Sequence, residues 1–211
     1  MKTDLKKMQT FAIALRWEGR YRKGEHLSGQ GAFCPELDSL DHDFADALQQ
    51  HGIAGGKLLE IGTGLGRQAI RYAQAGFEVT ATDVSGTAIT IAQNTAAHHG
   101  IHSPALQLLT DNILATSLRE MFDVIADRGC LATLKEWELT DYARNVRGLL
   151  SDTGLFLLKL NAGQSTKARA LTGHFRIEQS WETYYHGSNE QGPPALFFVL
   201  KPLSNIEQEP I

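Results

Sequence analysis

Leu58-Leu59-Glu60-Ile61-Gly62-Thr63-Gly64-Leu65-Gly66 decides how this chain is read. Its first four residues are mostly apolar and suit a buried strand; the glycines suit a turn; and Arg67–Ala75 has helical spacing. A strand running through a glycine turn into a helix aims backbone N–H groups and the helix N-terminus at a ligand. Glycine is needed there because a side chain would block backbone approach, or because the turn requires positive φ. Alone, such a triplet also reads as a tight strand–helix turn and nothing more. Three neighbours extend the reading. Arg67 stands where the Gly-x-Gly-x-x-Gly fingerprint needs its third glycine, so a pyrophosphate fits badly. Glu60, just before the glycines, suits a cationic amino group and not a phosphate. Asp83, at the end of the next strand, is placed to accept both hydroxyls of a ribose.

Outward from this segment the chain alternates between two textures. Lys57–Ile61, Glu78–Thr82, Leu106–Leu109, Phe122–Ala126, Leu155–Leu160, Ile177–Tyr185 and Ala195–Lys201 read as strands. Between them Arg67–Ala75, Gly86–His99, Glu136–Leu150 and Gln164–Leu171 read as helices, with Gly76, Gly100 and Gly154 as left-handed caps. Strands alternating with helices predict an α/β protein with a parallel sheet. Residues 1–56 have another character. Thr3–Trp17 and Glu36–Gln50 read as helices, joined by Glu18–Phe33, which is rich in glycine, arginine and aromatic residues and reads as an ordered loop or a lid. The expected division is a helical lid at 1–56 and a core at 57–203 in a single globular domain, with a fraying tail at Leu203–Ile211.

Composition removes several classes. At 211 residues, 42% hydrophobic and 21% charged, the chain is globular, which excludes disorder and coiled coil. A net charge of -4 lacks the basic footprint of a nucleic-acid binder. No apolar run reaches the roughly 20 residues of a membrane span, and Arg16 cuts the apolar stretch Phe11–Leu15 short of a signal-peptide core. The expectation is a soluble cytoplasmic protein, monomer or homodimer, with no membrane or nucleic-acid partner. Cys34 and Cys130 make neither a disulfide framework nor a zinc site, and no metal is expected.

A nucleoside that carries an ammonium group and no phosphate describes S-adenosylmethionine. Leu58–Gly66, Thr82-Asp83-Val84-Ser85, Thr110-Asp111-Asn112 and Phe122–Gly129, in this order, resemble the motifs of class I S-adenosylmethionine-dependent methyltransferases. The resemblance implies a doubly wound, three-layer Rossmann-like sandwich on a seven-stranded, mostly parallel sheet with an antiparallel last strand. It assigns Glu60, Gly62, Gly64 and Gly66 to the methionyl portion, Asp83 to the ribose, and Asp111 and Asn112 to adenine, with Thr63 and Val84 as further cofactor contacts. S-adenosylhomocysteine is the implied product. Asp111 and Asn112 also read as a turn or helix cap.

Asp127-Arg128-Gly129-Cys130 replaces the Asn/Asp-Pro-Pro-aromatic signature of enzymes that methylate adenine or glutamine nitrogens, and Pro193-Pro194 is expected to precede the final strand. An Asp-Arg pair after the fourth strand resembles the thiopurine S-methyltransferase branch and its tellurite-resistance relatives. Trp17-Glu18-Gly19-Arg20-Tyr21 resembles the N-terminal motif of that branch, so Tyr21 and Arg128 inherit cofactor contact, and Asp127 is a further cofactor-binding candidate. The residues after Arg128 and the clean glycine loop depart from the thiopurine enzymes, so a small-molecule acceptor is expected, a thiol or other soft nucleophile before oxygen or nitrogen. Asp127, Tyr184, Tyr185 and His186 are candidate bases and none is singled out. Cys130 reads as a buried, inert cysteine. Two rival readings share the loop: an NAD(P)-dependent oxidoreductase, which lacks its third glycine here, and a non-catalytic S-adenosylmethionine-binding module.

Overall fold

The computed structural model describes residues 2–25, 39–186 and 191–203, with the side chains of 11–25, 39–185 and 192–203. Seven strands form one sheet: β1 (Gly56–Ile61), β2 (Phe77–Asp83), β3 (Leu106–Thr110), β4 (Phe122–Arg128), β5 (Leu150–Asn161), β6 (Phe175–His186) and β7 (Gln191–Pro202). The order is β3-β2-β1-β4-β5-β7-β6, and β7 runs antiparallel to both its neighbours. This is the doubly wound, Rossmann-like sheet with an antiparallel last strand that the motifs lead one to expect.

Side-chain alternation builds the layers. Leu58, Val79, Val124, Leu155 and Leu157 face one side, where they pack with α2 (His42–Gln50), α3 (Arg67–Gln74) and the end of α4 (Gly86–His98). Leu59, Ile125, Phe156 and Leu158 face the other, against α5 (Leu139–Leu149) and the short α6 (Ser165–Arg169). Helix α1 (Lys2–Arg22) packs its Tyr21 on Leu65 and Ala88 and its Ile13 against the core on the α5 side. Among the described residues, no helix is long and apolar enough to cross a membrane.

Several boundaries differ from the sequence reading. Helix α1 continues through Trp17 to Arg22, so the motif expected at the start of a loop is helical. Residues 26–38, with Phe33, Cys34 and the start of the second expected helix, lie outside the described residues. Helix α2 begins where Asp41 caps it, its side chain accepting from Asp43 N. Gly154 is not a helix cap. Helix α5 ends at Leu149, and Gly154 sits inside β5, where a Cβ would stand 2.8 Å from the Asp123 carbonyl oxygen. Pro193-Pro194 lies within β7, not before it.

The segment 39–43 is fixed to the sheet by buried charges. Lys159, wholly buried in β5, donates to Asp41 at 2.9 and 3.0 Å and to Asp43 at 2.5 Å. Arg128 Nε adds a 2.7 Å bond to Asp41, while Trp181 and Thr183 each donate to Asp43 at 2.8 Å. Burial alone would push the Asp43 carboxyl up; the bonds from Lys159, Trp181 and Thr183 outweigh it and hold the group below its ordinary value. Removing one partner strands the rest in a medium that solvates charge poorly. Lys159→Met should therefore lower the unfolding free energy by about 3–5 kcal/mol, read from denaturant midpoints, because two buried carboxylates lose their shared cation. A loss too small to measure would mean that water reaches this network.

Candidate functional site

The strand order reverses between β1 and β4, and in open α/β sheets the crevice at such a switch point, beyond the carboxyl ends of the strands, is where ligands bind. A cavity of about 470 Å³ opens there, inside the range of roughly 300–1,000 Å³ usual for small-molecule sites. Its walls come from the β1–α3 loop, the ends of β2 and β3, the turn after β4, and one face of α1.

The glycine loop is held by its neighbours as well as by its own sequence. Thr63 N donates to Thr82 O at 2.8 Å, and Gly64 N donates to the Asp83 carboxylate at 3.0 Å. Gly62, Gly64 and Gly66 all have positive φ, at 70°, 57° and 76°. At Gly62 a Cβ would also stand 2.7 Å from the Cys130 Cβ, so the turn leaves room for hydrogen only.

Of the residues expected to bind a cofactor, Tyr21, Glu60, Gly62, Thr63, Gly64, Asp83, Val84, Asp111, Asn112 and Arg128 line this one cavity. Two do not. Gly66 faces helix α4, where a Cβ would lie 2.8 Å from that of Ala92, so packing and not ligand approach requires it. Asp127 is wholly buried behind the wall; it accepts from Cys130 N at 2.6 Å, Leu131 N at 2.9 Å and the Tyr142 hydroxyl, and so organises the turn after β4. These contacts also remove it from the candidate bases. Tyr185 lines the cavity but donates its hydroxyl to Lys159 O at 3.0 Å. Tyr184 is 40% exposed and is not among the lining residues. The His186 side chain lies outside the described residues. Cys130 lines the wall, and burial pushes its thiol well up, as suits an inert cysteine.

The carboxylates give the cavity its chemistry. Burial raises Glu60 to about 7, against a 2.5 Å bond from the Thr63 hydroxyl and the Arg128 charge. Burial likewise raises Asp83 to about 6, although Ser85 N and Gly64 N donate to its two oxygens. Each of those oxygens keeps a lone pair for a further donor. Asp111 accepts from Ser117 N and Oγ at 2.9 Å through one oxygen, while the other, buried, has no partner among the described residues. Asn112 caps the following turn by accepting from Leu114 N. This donor set fits a ligand with a cation, neighbouring hydroxyls and an amino group, which is the chemistry of S-adenosylmethionine. It fits a diphosphate poorly.

Sequence reasoning missed part of the wall: Ile13, Gln68, Ala132–Leu134, Asn161 and Pro193 also line it. A weak signal existed for Ile13, which shares a four-residue spacing with Trp17 and Tyr21. Asp41, His42 and Asp43 offer ligand atoms within 4.8 Å of one another, but Lys159 and Arg128 already neutralise both carboxylates, so they suit a cation of the protein and not a metal.

Residues 59–156, from β1 into β5, match the family model described as a methyltransferase domain. No curated protein matches the chain in sequence. Solved structures share its fold. One, from work on the conversion of a disulfide bond into a thioacetal group during echinomycin biosynthesis, is 18% identical with a TM-score of 0.75, over 92% of this chain and 93% of that one. A TehB-like S-adenosylmethionine-dependent methyltransferase from Corynebacterium glutamicum is 17% identical with a TM-score of 0.63, over 93% and 100%. The glycopeptide N-methyltransferase MtfA, solved with S-adenosylhomocysteine, is 17% identical with a TM-score of 0.65, over 80% and 92%.

The loop geometry carries a direct test. Gly62→Ala combines a left-handed backbone, costing about 1–2 kcal/mol, with a Cβ that must displace Cys130. It should lower the melting temperature by several degrees, since a 200-residue domain loses about 2–4 °C per kcal/mol. An unchanged melting temperature would mean that the turn relaxes freely.

Proposed function

We propose that this chain transfers the methyl group of S-adenosylmethionine to a small-molecule acceptor, a thiol or other soft nucleophile before oxygen or nitrogen. The observation that carries this is the meeting of left-handed Gly62 and Gly64 with Glu60, Asp83 and Asp111 in one cavity. In this reading Glu60 and the loop hold the methionyl end, Asp83 takes the ribose hydroxyls, and the free oxygen of Asp111 takes the adenine amino group. Arg128 and Tyr21 complete the cofactor wall. The 1–56 extension, in particular helix α1, serves as a lid over the 57–203 core. A nicotinamide-dependent reading is disfavoured because Arg67, and no glycine, begins helix α3.

When bound, S-adenosylmethionine supplies an electrophilic methyl group on a sulfonium, so transfer is an in-line displacement that needs alignment and a dry site. The chain provides both. Ile13, Trp17, Tyr21, Leu134, Tyr185 and Pro193 form apolar and aromatic walls that exclude water and orient a flat or apolar acceptor. The carboxylates capable of taking a proton are committed to the cofactor side or, in Asp127, to the fold. An acceptor already partly ionised near neutrality, as a thiol is, needs no base from the protein.

Asp83→Ala should weaken S-adenosylhomocysteine binding at least about tenfold by titration calorimetry, since hydrogen bonds to a charged group are worth roughly 1.5–3 kcal/mol each. Unchanged affinity would remove the ribose assignment.

Glu60 adds a pH dependence. In the free protein its raised value means that the fold binds a proton more tightly than the unfolded chain does. Its contribution therefore favours the fold below the ordinary carboxylate value and is lost as pH rises toward about 7. A cationic ligand favours the ionised carboxylate, so binding should expel a proton below about pH 7 and weaken as pH falls through that value. Glu60→Gln should flatten this dependence in calorimetry at pH 6 and 8. A pH-independent wild type would place the ligand's cation elsewhere.

A further inference from the structure

Helix α1 touches the core at an unusual place. Ile13, Trp17 and Tyr21, one helical turn apart, give it a face that forms part of the cavity wall, with Tyr21 packed on Leu65 and Ala88. Beside that face stands Glu18. One of its carboxylate oxygens accepts from Ser85 Oγ at 2.6 Å and from Thr87 N at 3.1 Å, and the other accepts from Thr87 Oγ1 at 2.6 Å. Arg22 Nε, one turn along α1, donates to the second oxygen at 2.7 Å. Ser85 caps helix α4 by accepting from Ala88 N at 3.1 Å, and Glu18 supplies the acceptor for the neighbouring Thr87 N. The contact joins two elements far apart in sequence at the point where the chain leaves Asp83.

We infer that Glu18 is a positioning residue for cofactor binding: it latches α1 to the start of α4 and so holds Trp17 and Tyr21 in place as the wall of the cofactor cavity. The inference rests on the proposed S-adenosylmethionine site and adds to it a residue outside the cavity. The physical reasons are local. A carboxylate at a helix N-terminus meets unsatisfied N–H groups and the positive end of the helix dipole, and side-chain hydroxyls add charge-assisted bonds. The hydroxyls of Ser85 and Thr87, opposing a small cost of burial, hold the Glu18 carboxyl down at about 2, so the latch is ionised at any physiological pH. If α1 is released for part of the time, apparent affinity falls by the fraction of molecules in which it is docked.

Titration calorimetry with S-adenosylhomocysteine on the full chain tests this. Wild type should bind, and if it does not, the proposed function fails and not the latch alone. Glu18→Ala should weaken binding at least about fivefold, the lower end of ordinary coupling between sites, with an unchanged circular dichroism spectrum. Thr87→Val, outside the cavity, should weaken binding in the wild-type background and have no further effect in Glu18→Ala. Glu18→Gln, which keeps an acceptor oxygen, should recover part of the loss and also serves if Glu18→Ala does not fold. A latch that is merely structural would lower the melting temperature and leave affinity untouched. Wild-type affinity in both Glu18→Gln and Thr87→Val, or additive losses in the double variant, would overturn the inference.

Discussion

Two carboxylates and two cations, sealed between helix α2 and the carboxyl end of the sheet, set the frame for everything above them. Asp41 meets both Lys159 and Arg128, and Asp43 meets Lys159 together with the Trp181 and Thr183 side chains. Such a cluster is costly to desolvate, and its geometry is what makes it tolerable: each carboxylate oxygen has at least one donor. The result is a fixed relation between the N-terminal segment, β4, β5 and β6. Arg128 is oriented by it, with its guanidinium 5.1 Å from the centre of the Tyr185 ring, and both side chains line the cavity. Gln68 of helix α3 extends the tie, accepting from Asp41 N at 2.7 Å and donating to Ser39 O at 3.2 Å. The residues that begin α2 are therefore bound to the same helix that the glycine loop starts.

Above this frame the site is assembled from strand ends. Parallel neighbours bring Ile61, Asp83, Thr110 and Arg128 to one edge, so that four loops distant in sequence converge. The loops also brace one another. Asp83 holds Gly64 through its side chain and Asp111 N through its backbone carbonyl, which ties β1, β2 and β3 at the point where a ligand spans them. A residue that shapes the loops in this way is well placed to bind a ligand between them, because its carboxylate is held in a fixed orientation.

The layers of the sheet and the loops that converge at its edge were largely legible in the sequence because their signals are local. The strand period, the glycine turn and the acidic residues at strand ends are each written within a few positions, and they gave the layers, the cavity and ten of its walls. What was not legible depends on distance. Asp127 looked like a site residue because it sits where site residues sit; only the fold shows Tyr142 and two backbone N–H groups consuming its oxygens. Gly66 looked like a ligand contact because Ala92 is remote in sequence. Lys159 did leave a sign: a lysine inside Leu155-Phe156-Leu157-Leu158-Lys159-Leu160 must find a buried acid, although nothing local says which.

The two groups of acids at this edge differ in a way that bears on what the cavity takes. Asp43 has a protein cation in contact, and its carboxyl is held below the ordinary value. Glu60 and Asp83 face the cavity, and burial raises both, because the bonds and charges around them do not repay the loss of water. Asp127 is also raised, yet it is turned inward and closed off by its own hydrogen bonds, so no ligand can relieve it. Of these three raised carboxyls, Glu60 and Asp83 are the two that a ligand in the cavity can reach. Perturbed carboxyls in a cleft, beside left-handed glycines, are a mark of a functional site. Here they also give the sign of the ligand: a cation with hydroxyl donors lowers the free energy of both groups at once, and an anion raises it.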